Sequence, residues 1–431
     1  MYLRWPAVAA MAAVCLVVFV VPSTQLVLVW FVVVALLAGL DVLLAPRPSS
    51  LRVERRQPDG VRLGEETVSH LVVTNPTSRT FRGAVRDVWS PGAGAQDDRG
   101  VLNLAPGASV DHVVHLLPTR RGMRPNDAIT VRSAGPLRLA GRQTRLDEPG
   151  LVRVMPAFSS RAHLPSRLVQ LREIEGRSLV RAPGSGSEFD SLRDYVRGDD
   201  VRSIDWRATA RRRAPVVRTW RPERDRRVSI LLDTGRLSAG RLADTTRLDA
   251  GMEACLLLAA LAGHAGDNVE WTAGDRAVLA HVPPTSGRNE AVRRMMLAMA
   301  PLESRLVEPD WSRLVQEATA DARRGSLLVI VTPFEPAAVE ESLVPLLPAL
   351  ARETRVVIAS VADPEVGAIA AKRDNVRDVY GAAAAERLRH RTTTMRAALE
   401  RHGISVLHEP PERLAPALAD HYLVLKREGR L

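Results

Sequence analysis

Two apolar runs open the chain, at residues 7–21 and 26–44, parted only by Pro22-Ser23-Thr24-Gln25. A membrane-crossing helix takes about 20 apolar residues. The second run has that length, broken only by Gly39 and Asp41 near its end, and the first is shorter. No small-x-small cleavage motif closes the first run, and a spanning-length run follows at once. The pair therefore predicts a helical hairpin rather than a secretion signal. Arg4 stands before it, and Arg47, Arg52, Arg55 and Arg56 follow it. Basic residues at both outer ends put both on the cytoplasmic side. The expectation is a two-pass cell-membrane protein, anchored in lipid by residues 1–48, with its soluble domains in the cytoplasm.

From residue 51 to 156 the apolar period changes to two. Residues 67–74, 110–117 and 128–132 alternate, and Asn75-Pro76, Pro91-Gly92, Pro106-Gly107 and Gly135-Pro136 punctuate them. Short strands at such spacing predict a β-sandwich-like domain over residues 49–160. His112 and His115, three apart on a strand, face opposite sides and make no metal pair.

Beyond residue 227, strands alternate with helices. Residues 228–233 (VSILLD) form a continuous apolar run ending in a carboxylate, the pattern of a strand buried on both faces. Further strands are predicted over 268–273, 277–282, 326–332, 354–361 and 404–407. Helices are predicted over 247–264, 287–299, 311–323, 337–351, 377–402 and 413–426. This alternation argues an α/β doubly wound sheet over residues 228–431. Ligands in such sheets sit outside the carboxyl ends of the strands, which points to Asp233-Thr234-Gly235-Arg236-Leu237.

The net charge of +11 comes almost wholly from arginine, the only lysines being Lys372 and Lys426. No helix carries a basic face interleaved with aromatics, so nucleic acid is not an expected partner. A basic juxtamembrane surface meeting anionic lipid accounts for the charge. Cys15 lies in an apolar run and Cys255 in a helix, so neither a disulfide framework nor zinc spacing exists.

Residues 161–227 read as a linker followed by a dense two-signed charge run with apolar anchors. Within 193–227, twelve arginines face six acids. Asp199, Asp200 and Asp205 are expected to tie Arg193, Arg202 and Arg211 into one network, because arginine pairs bidentately with carboxylates. Such a network either welds the segment to the next domain or forms a recognition surface for a protein partner. A catalytic dyad at Asp199-Asp200 is disfavoured, since adjacent carboxylates diverge and no base or nucleophile accompanies them.

The run Glu188-Phe189-Asp190, Leu192-Arg193-Asp194-Tyr195, Gly198-Asp199-Asp200, Arg202-Ser203-Ile204-Asp205-Trp206 and Ala210-Arg211 resembles the signature of the domain of unknown function 58 family. The resemblance implies a membrane hairpin, a β-rich segment and this signature ahead of a von Willebrand A-like domain. It also implies a part in a system built around a MoxR-type AAA+ ATPase. A von Willebrand A domain that binds Mg²⁺ uses Asp-x-Ser-x-Ser, a threonine from a second loop and an aspartate from a third. Here Asp233 is retained, but Gly235 and Leu237 hold the serine positions and Thr332 stands where an acid is expected. Thr285 is the candidate second-loop threonine. Asp233 and Thr285 are thus a degenerate remnant, with no metal or cofactor expected; Arg236 is a candidate substitute for the cation.

No phosphate-binding loop, nucleophile elbow or His-Glu-x-x-His helix is present. Gly184-Ser185-Gly186-Ser187 reads as linker. The resulting expectation is a multidomain, membrane-anchored, non-enzymatic scaffold. An undetected hydrolase and a metal-dependent adhesion module are the alternatives.

Overall fold

The structure, a computed structural model, describes residues 2–20, 23–179, 188–196, 199–221, 226–287, 289–320 and 326–431. The chain divides into two compact units, Met1–Ala157 and Phe158–Leu431.

The first unit opens with a short strand, β1 (Tyr2–Leu3), and two helices, α1 (Trp5–Val20) and α2 (Thr24–Leu44). The helices lie against each other, and the Trp30 indole donates to the Ala10 carbonyl at 2.9 Å. Most of α2 is exposed and apolar, with Leu28, Val29, Leu36 and Leu43 all more than 60% exposed. Among the described residues one helix, Thr24–Ser50, is long and apolar enough to cross a membrane. At 16 residues, α1 falls short of that length.

Asp41 reads in the sequence as a blemish in the apolar run, but it is the joint between helix and sandwich. Its fully buried carboxylate accepts from the Leu137, Leu139 and Ala140 N–H groups at 2.8–2.9 Å. Gly135 lies so close that a β-carbon there would overlap the Asp41 carboxylate. At the other end of the hairpin, β1 adds itself to the sandwich, pairing Tyr2 with Gly141 and Leu3 with Ala140. The helices and the sandwich therefore form one unit rather than two.

Ten strands build that sandwich: β2 (Arg52–Arg56), β3 (Gly60–Arg62), β4 (Thr67–Thr74), β5 (Phe81–Trp89), β6 (Ala95–Gln96), β7 (Arg99–Leu104), β8 (Ser109–Leu116), β9 (Gly122–Ala134), β10 (Ala140–Leu146) and β11 (Leu151–Met155). One sheet runs β2-β4-β8-β6; the other gathers β10, β11 and β5 around β9, with β7 beyond β5. In β5 the period-two pattern buries Phe81, Val85, Asp87 and Trp89 and exposes Arg82 and Arg86. Phe81 and Val85 meet Leu71 and Val73 of the facing sheet. Asp87 thereby enters the core, where Arg55 from the opposite sheet meets it.

In the second unit, α3 (Leu164–Leu179) precedes a small module of β12 (Glu188–Asp194), α4 (Trp206–Arg212) and β13 (Val216–Arg221). The sheet follows: β14 (Arg227–Asp233), a short hairpin of β15 (Arg241–Leu242) and β16 (Thr245–Thr246), α5 (Arg247–His264), β17 (Asn268–Gly274), β18 (Val278–Thr285), α6 (Glu290–Met299), α7 (Trp311–Thr319), β19 (Leu327–Val331), α8 (Pro336–Ser342), α9 (Leu347–Glu353), β20 (Arg355–Val361), α10 (Pro364–Ala371), α11 (Val376–Arg401), β21 (Ser405–Glu409) and α12 (Pro411–Arg427). The six strands run β18-β17-β14-β19-β20-β21, all parallel except the antiparallel edge strand β18.

Helices cover both faces. Leu314 of α7, Leu347 of α9 and Leu399 of α11 join Leu231, Ile330 and Ile358 on one face. On the other, α5 comes close enough for Gly251 to lie against Leu232 and Val331. The single helix expected at 337–351 is two helices, because Pro345 and Pro348 remove donors around a 3-10 turn at Val344–Leu346. The added helix α10 has its own cap, Asp363 accepting from the Glu365 N–H at 2.9 Å.

Candidate functional site

The signature residues form a hairpin with a helical insert. Strands β12 and β13 pair antiparallel from Glu188–Arg221 to Asp194–Val216, and the connection between them carries the motif. Arg193, near the end of β12, reaches forward to Asp199 in a two-pronged pair at 2.8 and 2.5 Å. Asp199 also accepts from the Val196 N–H at 2.9 Å. The Arg193 guanidinium, aided by that N–H, holds the Asp199 carboxyl below its ordinary range. Asp205 caps α4 through the Ala208 N–H at 2.9 Å and pairs with Arg218 of β13 at 2.9 Å. The Ala208 N–H, then Arg218, lower its pKa likewise.

The expected single network is thus two separate pairs. Asp205 takes Arg218 rather than Arg211, because α4 turns Arg211 outward whereas β13 returns beside the cap. Asp200 uses its carboxylate on the Arg202 backbone N–H at 2.9 Å, tightening a turn instead of holding a guanidinium. Tyr195 is placed by its N–H to the Pro215 carbonyl, and Ile204 bridges to Val217. Ala210 and Arg211 are exposed on α4. Gly198, with the side chains of Glu188, Phe189 and Asp190, lies outside the described residues.

These internal bonds leave an unusual surface. Trp206 is 69% exposed, Val196 62% and Val201 58%. The side chains of Arg202, Arg207 and Arg211 in the same module are exposed too. Trp and Arg are the residue types that carry most binding energy at protein interfaces.

The second place of interest is the carboxyl edge of the sheet, where β14 and β19 part company: the chain leaves β14 towards β17 on one side, and β19 begins the other half. Asp233, 3% exposed, ends β14. Its carboxylate accepts from the Gly235 N–H at 2.7 Å and from the Thr332 hydroxyl at 2.8 Å. Burial outweighs both bonds and pushes its pKa up to about 6, with the Asp275 and Glu308 carboxylates adding to the rise. Asp275, fully buried, faces Arg305 at 3.6 Å.

The other expected remnants do not join it. Thr285 is opposite Val269, at the start of β17, whereas Asp233 is opposite Gly274 at that strand's far end. At about 3.3 Å per residue, most of a strand length separates them. Thr285 instead closes a local turn by donating to the Pro283 carbonyl at 2.7 Å. Arg236 pairs outward with Glu308. Both Asp233 oxygens are engaged, and the recess beside it measures about 10 Å³, roughly the room of one water. Among the described residues no three His, Cys, Asp or Glu side chains gather as a metal would need. These residues do not fit an octahedral Mg²⁺ site. The Thr332 contact was legible only as the place where an acid is missing; that its hydroxyl binds Asp233 follows from strand order.

Comparison with known proteins agrees with the signature. Uncharacterized proteins of Mycobacterium bovis (Mb1516) and Mycobacterium tuberculosis (Rv1480) are each 26% identical over 162 residues, 37% of this chain and 51% of theirs. The chain thus spans about half the length of the curated relatives it matches. Among solved structures, a fragment of Escherichia coli alpha-2-macroglobulin from domain MG7 to the C-terminus is similar over 26% of this chain and 17% of its own, at 21% identity and a TM-score of 0.21. The CARDB domain of the PF1109 protein of Pyrococcus furiosus is similar over 24% and 91%, at 20% identity and a TM-score of 0.18. The family model described as "Protein of unknown function DUF58" matches residues 191–403, so the family that the signature resembles is also the family whose model this segment matches.

Proposed function

We propose that this chain is a membrane-anchored, non-enzymatic interaction protein whose signature module docks a MoxR-type AAA+ ATPase. The observation that carries this reading is the exposure of Trp206, Val196 and Val201 on a module whose backbone is braced by the Arg193–Asp199 and Arg218–Asp205 pairs. A rigid frame presenting exposed aromatic and aliphatic anchors among arginines has the make-up of a binding hot spot. We read the helical pair as a two-pass anchor with the soluble parts in the cytoplasm. Pairing of β1 with β10 and the Asp41 joint tether both outer ends of the pair to the sandwich, which supports that topology. The sheet's strand order, with a carboxylate ending its central strand, supports a von Willebrand A-like reading of the second unit.

The test is association of the purified full chain in lipid nanodiscs with the MoxR-type ATPase encoded nearest to it, with and without ATP. Nucleotide-dependent binding is expected, and Trp206→Ala should weaken it at least about tenfold, since an interfacial aromatic anchor is worth 2 kcal/mol or more. Equal binding by a Trp206→Ala protein of unchanged melting temperature, or no binding by the wild type, overturns the reading.

A further inference from the structure

A cleft of about 310 Å³ opens outside the carboxyl ends of β19, β20 and β21, walled by α10 and α11. None of its lining residues belongs to the signature module, and it adjoins the recess at Asp233, with which it shares Arg247 and Val361. We propose that it binds a small molecule that joins an apolar body to a carboxylate or phosphate, the anionic end meeting Arg247 and His408. This goes beyond the docking role and does not depend on it.

The position comes first. In open α/β sheets the carboxyl ends of the strands are where ligands are held, because loops diverge there and the helices that follow begin there. The volume is within the range of small-molecule sites. The floor is apolar, formed by Phe334, Val361, Val366 and Leu388.

The walls carry Arg247, Arg389 and His408 beside two acids, Glu335 and Asp363, and two threonines that donate to backbone carbonyls. Arg247 begins α5 with its side chain 16% exposed, and its single ion pair, to Glu335, is loose at 3.3 Å. Its Nε is buried without a protein partner. A buried guanidinium held this loosely retains donors for a second anion. The ring orientation of His408 follows from its neighbours. Ser360 Oγ accepts from the Phe334 N–H at 2.8 Å and bonds His408 Nδ1 at 3.3 Å. In the tautomer in which that hydroxyl donates to Nδ1, the ring proton is on Nε2, as a donor. Burial, with Arg247 and Arg396 nearby, lowers the pKa of His408, so the ring is neutral near pH 7 and contributes an N–H rather than a charge.

The acids lining the cleft are already engaged. Asp363 caps α10 through the Glu365 N–H, and Glu335 faces Arg247. Arg389 stands at the mouth, 56% exposed and bonded to Glu386, where it steers an anion inward. The arrangement of apolar floor, half-neutralised arginine and neutral imidazole suits an amphipathic anion better than a sugar or a cation.

The experiment uses the full chain in detergent and fluorine NMR line broadening. The probes are 4-fluorobenzoate and 4-fluorophenyl phosphate, with 4-fluorobenzyl alcohol as the neutral control. One or both anions should broaden and the alcohol should not. Arg247→Met, which keeps the aliphatic stem, should weaken binding by about tenfold or more. Leu388→Trp, which fills the cleft from a half-buried position on α11, should abolish binding while leaving the Arg247 pairing in place. Arg389→Gln should weaken it only about two- to threefold, as a rim charge does. Broadening that is equal for the alcohol, unchanged in both Arg247→Met and Leu388→Trp, or absent for both anions overturns the proposal. Loss of ATPase docking leaves these outcomes unaffected, so failure of one reading is distinguishable from failure of the other.

Discussion

Two of the chain's two-pronged arginine–carboxylate pairs stand in contrasting settings. In the sandwich, Arg55 and Asp87 meet at 2.9 and 2.7 Å with side chains 3% and 0% exposed. Further partners gather there: the Trp89 indole and the Asn126 amide donate to Asp87, Arg55 also donates to Ser69, and its guanidinium lies over the Trp89 ring, although its buried Nε has no hydrogen-bond partner. In the signature module, Arg193 and Asp199 meet with similar geometry but are 41% and 20% exposed, with water in reach of both. The same chemistry therefore does different work. Buried, it commits two facing sheets to one register, because neither charge tolerates losing the other. Exposed, it adds little to stability and instead ties Asp199 back to the end of β12 beside the exposed Val196.

That contrast can be broken by substitution. Asp87→Ala leaves Arg55 buried and unpaired, and should destabilise the first unit by about 3–5 kcal/mol. Pulse proteolysis in urea, following cleavage within residues 50–157, measures it. A loss below about 1 kcal/mol would mean the pair is not sealed from water.

Asp233 sharpens the comparison, being a buried acid without a cation at its side. Its folded pKa is raised from 3.8 to about 6, so the folded state binds this proton more tightly than the unfolded state. Stability from this group is therefore full below pH 3.8, declines as pH rises to about 6, and changes no further above that. Asp233→Asn should remove this decline, on the order of 2–3 kcal/mol. Melting of wild type and variant at pH 4.5, 5.5 and 7 shows it as curves that diverge with rising pH.

The smallest effect on stability is expected at the exposed pair. If the module docks the ATPase as proposed, Asp199→Asn should leave the melting temperature within error of the wild type while weakening that association several-fold, because the turn that carries Val196 loosens. Lost stability without lost binding would move Arg193–Asp199 from presentation to structural support.

Much of this molecule is legible in its sequence because apolar periodicity reports burial directly. The continuous runs at 228–233 and 326–332 can only be strands covered on both faces, and the structure has them as β14 and β19, adjacent and parallel. The strand of residues 67–74 is likewise β4, with the same bounds. The signature was legible as a folded segment because apolar anchors recur among its charges. Its pairing was not, since Asp205 has several arginines within a few residues and only the return of β13 brings Arg218 closest.

The sequence by itself determined the order of apolar helices, alternating strands and buried strands, because each is a local pattern of side chains along the backbone. It also determined that Gly235 and Leu237 lack the oxygens of a metal loop. Only the tertiary structure decided that Asp41 joins helix to sandwich, that Thr285 lies at the wrong end of the sheet, and that Arg247, His408 and Phe334 share one cleft. The residues that meet are from 74 to 161 positions apart, brought together by strand order and register, and one-dimensional periodicity carries no information about which strand becomes whose neighbour.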